Sequence, residues 1–236
     1  MMTVDEAMKE LKAKGSEATK TLMMKHGMKE PFFGVKVADM KLIQKKVKKD
    51  YTLSKGLYAT GNADAMYLAG LIADETKMTK ADLNAWVKAA TSTMIIEYTV
   101  PWIAAESQFG YELGMQWIDD KKDSIATAGW ATLSSVMAVT ADEDLDIAAL
   151  KKLIKRVEKE IHKAPNRVRH NMNGFLIAAG SFVTALTDDA VATAKKIGEV
   201  EVNMGDTACK VPDAASYIKK VKDKGYLGKK KKMARC

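Results

Sequence analysis

Apolar residues recur at helical spacing through most of the chain. Between Asn166 and Gly180, stepping 100° per residue places Val168, Met172, Phe175, Leu176 and Ala179 on one stripe. Asn166, Arg169, His170 and Asn173 gather on the opposite side, with Arg167 furthest from that polar centre. The same spacing predicts helices near 4–14, 17–26, 38–49, 53–59, 63–73, 80–91, 94–106, 109–119, 123–139, 147–162, 166–182, 189–198 and 212–222. Start signals stand at Thr3, Thr79 and Thr187, and at Pro212 with Asp213 before AASYIKK. No run alternates β-branched and polar residues as a strand would, so the expected fold class is all-α.

A loose echo runs through three of these helices. LAGLIAD (68–74), TAGWATL (127–133) and MNGFLIA (172–178) each set a glycine beside large apolar side chains. A mid-helix glycine costs about 1 kcal/mol against alanine, so it usually marks the close approach of another helix. Repeated helix pairs of this kind predict stacked HEAT-like repeats, a curved α-solenoid with one concave face; a compact helical bundle is the alternative. We expect one such domain over 1–222 and a lysine-rich, flexible tail over 223–236.

Charge narrows the function classes. Lys and Arg number 38 against 30 Asp and Glu, a formal net charge of +8 over 236 residues, which favours polyanionic partners. Lys36, Lys41, Lys45, Lys46, Lys48 and Lys49 cluster in 36–50, and basic residues dominate 151–170. Such clusters either follow a phosphate backbone or form solvated outer faces. The opening residues mix acids with lysines and lack the apolar run of a signal peptide, and no stretch approaches the roughly 20 apolar residues of a membrane span. Two cysteines, Cys209 and Cys236, fit a reducing compartment, so the cytoplasm is expected. No phosphate-binding glycine loop or nucleophile elbow occurs, and His26, His162 and His170 make no metal-ligand pattern with the cysteines; neither a cofactor nor a metal is expected.

Three stretches together carry a resemblance. KHGMKEPFFGVKVADMKLIQKKVKKD (25–50), EKEIHKAPNRVRHNMNGFLIAAG (158–180) and VEVNMGDTACKVPDAASYIKK (200–220) resemble the DNA alkylation repair family of AlkD-like HEAT-repeat proteins, over about residues 15–220. The resemblance implies a basic concave groove for duplex DNA. Active members of that family are glycosylases that release cationic N3- or N7-alkylated purines, the first step of base excision repair. Their sites use an aspartate to stabilise the sugar cation, two tryptophans beside the base and a nearby arginine. Here the aspartate position falls on Glu97, the tryptophans on Thr93 and near Gly174, and the arginine on Thr127. A carboxylate is kept while the aromatic walls and the cation are lost at those positions, with Tyr67, Trp102 and Trp130 as nearby substitutes or core residues.

The resemblance also implies that Lys36, Lys45, Lys46, Arg167, Arg169, His170, Asn173 and Lys210 contact DNA, with Glu97 as the catalytic group. Cys209 reads as a packed structural thiol. Two functions follow for a monomer acting on duplex DNA: an alkylpurine glycosylase, or a noncatalytic relative that binds duplex or distorted DNA. A scaffold for an acidic protein is the third reading of the same charge.

Overall fold

The periodic segments all become helices. The computed structural model describes residues 2–235, and Cys236 lies outside the described residues. The helices are α1 Val4–Lys14, α2 Glu17–Lys25, α3 Val37–Val47, α4 Tyr51–Ala59, α5 Ala63–Ile72, α6 Lys80–Ala89 and α7 Val100–Glu106. There follow α8 Gly110–Trp117, α9 Asp123–Val139, α10 Ile147–Glu160, α11 Asn166–Phe182, α12 Thr187–Ile197 and α13 Ala214–Asp223. Thr3 and Thr79 close capping boxes with Glu6 and Asp82, and Asp213 accepts from the Ser216 amide. Thr187 differs from its expected role. It is the first residue of α12, and its hydroxyl donates to the Gly180 carbonyl at 3.0 Å, tying the end of α11 to the start of α12.

The helices stack in two layers. In the inner layer each of α3, α5, α7, α9, α11 and α13 packs on the next, while α4, α6, α8, α10 and α12 back them from outside. This is the expected HEAT-like, all-helical array rather than a closed bundle. Two large hydrophobic cores result, beside a small cluster of Met28, Phe32 and Ala63, and α9 runs between the large ones: Ile125 and Ala128 belong to the first, Ala126, Trp130, Leu133 and Met137 to the second. The glycine echo explains part of this packing. A Cβ on Gly129 would lie 2.5 Å from the Ile118 amide nitrogen, and one on Gly70 would lie 2.4 Å from Thr99 Cγ2. Gly174 breaks the pattern, because nothing stands within 4 Å of where its Cβ would be.

The lysine-rich terminal segment does not behave as a free tail. It returns across the C-terminal ends of the inner helices, a direction opposite to the stacking. The Gly228 amide donates to Ser181 on α11, the Lys231 amide to Ala138 on α9, and the Ala234 amide to Glu106 on α7. At its end Arg235 is 7% exposed. Its guanidinium donates to the Gly70, Leu71 and Ala73 carbonyls, which close α5, and to both Glu75 and Glu106 at 2.5 Å. The last carbonyls of a helix carry partial negative charge and lack intrahelical donors, so a buried guanidinium there is doubly stabilised. A lysine run alone gives no hint of this, since the anchoring carboxylates lie more than 120 residues earlier in the chain.

Replacing Arg235 by alanine leaves two half-buried glutamates facing the empty guanidinium site. The variant is expected to lose about 3 kcal/mol of unfolding free energy, measured by urea denaturation. A loss below about 1 kcal/mol, the range of exposed pairs, contradicts the anchoring role of the strap.

Candidate nucleic-acid interface

The segment MIIEYTVPW builds the floor of the site. Pro101 has no amide hydrogen, and in a helix its ring would collide with the carbonyl four residues earlier, that of Glu97. The chain answers with a widened π turn, Ile95–Thr99, closed by the Val100 amide on the Ile95 carbonyl, before α7 resumes. Glu97 sits in the middle of that turn. Helical periodicity alone cannot find this irregularity, but a proline at the eighth position of the helix predicted over 94–106 is the signal for it.

Glu97 is held almost out of water, with a side chain 3% exposed, and Arg167 at the start of α11 meets it. The guanidinium donates Nε to Oε1 at 2.6 Å and Nη2 to Oε2 at 2.5 Å, a bidentate pair, and Nη1 to the Met204 sulfur at 3.5 Å. The Arg167 side chain is 30% exposed, so the cation faces the solvent side of the pair. The helical wheel is overturned here: Arg167, set furthest from the polar centre, is the residue that reaches the carboxylate. His170, one turn on, is pushed below the ordinary imidazole range by burial and then by the Arg167 charge, which Glu97 offsets only in part. Its Nδ1 is buried without a hydrogen-bond partner.

These groups line a cleft of about 550 Å³ that also holds Thr93, Tyr98 and Trp102. The Trp102 ring lies 5.8 Å edge-on to Tyr67 and 5.7 Å from Tyr98, a residue that is 45% exposed. Aromatic surface therefore reappears beside the carboxylate, contributed by α5, the π turn and α7 rather than by positions 93 and 174. Trp130 is core, edge-on to Phe175 at 5.1 Å. Thr127 is buried, its hydroxyl turned to the Asp123 carbonyl, so the cation of this site comes from α11. A second cleft of about 500 Å³ continues along α9, α11 and α13, with Gly174, Ser134 and Tyr217 on its walls and Lys229 and Lys231 of the strap at its edge.

The polar face of α11 serves the protein's own loop. Asn166 and Asn203 exchange two hydrogen bonds of 2.8 Å, Arg169 donates to the Glu201 and Ala164 carbonyls, and Asn173, 1% exposed, donates to the Pro212 carbonyl. Arg169 and Asn173, expected to face DNA, are racks for the segment 200–212. That segment in turn delivers Met204, Thr207 and Cys209 to the rim of the Glu97 cleft, opposite Lys25 and His26. Cys209 is an exposed free thiol and not the packed one expected, because the chain around it is extended and rides on the surface. Lys210 is exposed beside it. On α3, Lys36 and Lys45 are exposed and Lys46 pairs with Glu10 at 2.7 Å. The structure thus brings Glu97, Arg167 and His170 together and leaves the lysines around the margins. Among the described residues no group of three or more His, Cys, Asp or Glu is placed to hold a metal ion, and no helix is long and apolar enough to cross a membrane.

Known proteins place this arrangement. A solved structure described as "a new family of proteins related to the HEAT-like repeat DNA glycosylases with affinity for branched DNA structures" matches 100% of both chains, with a TM-score of 0.91 and 34% identity. Uncharacterized proteins of Listeria innocua and Listeria monocytogenes are each 29% identical over 229 residues, spanning 95% of this chain and 99% of theirs. The family model described as DNA alkylation repair enzyme matches residues 7–218. The stacked helices, the cleft at Glu97 and these matches converge: the chain belongs to the DNA alkylation repair family.

Proposed function

We propose that this protein binds DNA, with branched duplexes preferred over linear ones, and that it does so without releasing bases. The observation that carries the second half is the Glu97–Arg167 pair. A glycosylase carboxylate must present free negative charge to the sugar as oxocarbenium character develops. Here both carboxylate oxygens accept from one guanidinium at 2.5–2.6 Å, and the exposed partner of the pair is the cation. A cationic alkylated purine entering the cleft would meet Arg167 first. The first half rests on the family, on the net positive charge and on the affinity described for the structural relative.

One feature favours the alternative reading, an alkylpurine glycosylase. The exposed Tyr98 ring beside Trp102 offers an aromatic face suited to a cationic base. That reading needs Arg167 to leave the carboxylate. The two are separated by incubating the protein with duplex DNA carrying a single 7-methylguanine and measuring free base against spontaneous depurination. Release equal to the no-protein control is expected, together with tighter, salt-dependent binding of a four-way junction than of a linear duplex. Release well above background that is abolished in Glu97→Gln reverses the assignment.

The pair also has a stability signature. Arg167→Met strands a buried carboxylate and is expected to cost about 3 kcal/mol, whereas Glu97→Gln combined with Arg167→Met recovers most of that loss. Chemical denaturation of the wild type, both single variants and the double variant measures the coupling; additive losses contradict the pairing.

A further inference from the structure

The strap divides two clefts. Lys229, Lys231 and Ala234 border the groove that continues from Glu97, whereas Lys232, Met233 and Arg235 border a separate bay of about 810 Å³ at the opposite edge of the strap. Across that bay lie Lys45, Lys48 and Lys49 from the end of α3 and the turn after it. The acids in the bay are already engaged: Glu75 by Lys49 and Arg235, and Glu106 by Arg235. Lys45, Lys48 and Lys232 are exposed and, among the described residues, have no carboxylate partner. Three uncompensated ammonium groups therefore surround one concavity.

The backbone supplies an independent observation. Lys48 terminates α3 with φ 62° and ψ −127°, and among the described residues it is the non-glycine with positive φ. Glycine is the ordinary residue at such a helix end, because a Cβ there is strained. The chain keeps a lysine in a conformation that disfavours it, at an exposed position that lines the bay. Strain retained at an exposed lysine whose ammonium, among the described residues, has no carboxylate partner points to a binding role.

We propose that this lysine bay is a second DNA-backbone site, which holds one arm of a branched DNA while another arm lies along the groove, with the strap between them. The proposal deepens the DNA-binding reading and rests on it. Lysine ammonium groups act as point charges toward phosphates and carry no base information, which suits recognition of a shape rather than a sequence. A linear duplex seated in the groove leaves the bay empty. A junction engages both clefts at once, and the second contact becomes effectively intramolecular.

The test compares fluorescence anisotropy of a four-way junction and a linear duplex of equal length across a salt titration. For the triple variant Lys45→Ala/Lys48→Ala/Lys232→Ala, junction affinity is expected to fall about tenfold and its log–log salt slope by about two to three, with linear-duplex affinity within about twofold. Lys48→Gly removes the charge and relieves the strain together, so its melting temperature is expected unchanged or higher while junction affinity still falls. Equal loss for both DNAs in the triple variant, or an unchanged junction affinity in either variant, overturns the bay. A wild type that binds neither DNA overturns the DNA reading and the bay with it. A wild type that prefers the junction while the triple variant keeps that preference overturns the bay alone.

Discussion

A carboxylate that is 3% exposed has to be met by a cation, and that requirement organises the whole concave face. Glu97 lies on the half of the array built from α1 to α7, whereas Arg167 begins α11 in the other half. Each half buries its own apolar core, and α9 supplies buried side chains to both, with α7 and α8 also touching each. The ion pair therefore joins across the groove two units that α9 joins behind it. An Arg167 aimed at Glu97 also sets its neighbours: it adds to the burial that disfavours the charged form of His170, and it contacts the Met204 sulfur at the cleft rim.

The helices were legible in the sequence because burial in stacked pairs imposes the 3.6-residue period that single-chain reading detects. The start signals at Thr3 and Thr79 stand where the helices begin, and the structure adds the reciprocal bonds to Glu6 and Asp82 that complete each capping box. What periodicity could not reach were the places where chain segments distant in sequence meet. The polar face of α11 looked like a surface for a ligand, but Asn166, Arg169 and Asn173 turn to carbonyls of the 200–212 segment. A wheel reports which residues share a direction and nothing about what stands there. The π turn at Glu97 and the docking of Arg235 belong to the same class: one depends on a proline displacing a carbonyl, the other on helix ends gathered by the fold.

The strap shows how a basic segment is ordered mainly through polar contacts, with Ala234 as its small apolar contact to the cores. Backbone amides at 228, 231 and 234 find carbonyl or carboxylate acceptors at the ends of three successive helices, which would otherwise present unpaired oxygens to solvent. Arg235 then closes the fourth, α5. Lysine would be a poorer terminus, because one ammonium cannot span three carbonyls and two carboxylates, whereas the planar fork distributes five donors among them. Among the lysines before it, Lys230 donates to the Met137 carbonyl and pairs with Asp142, while Lys229 lies over Tyr226 and Lys231 over Phe182.

The distribution of paired and unpaired charge then separates binding from catalysis on one surface. A sugar cation needs an accessible anion, and a phosphate needs an accessible cation; a cleft cannot present both from the same pair. With Glu97 behind and Arg167 in front, the exposed charge in the cleft is positive. Removing the guanidinium would not simply restore an active carboxylate, because Glu97 would still be held out of water, away from a sugar in the groove. Base release from this scaffold therefore requires moving the carboxylate toward water as well as freeing it, and the π turn set by Pro101 fixes the backbone on which such a movement would have to occur.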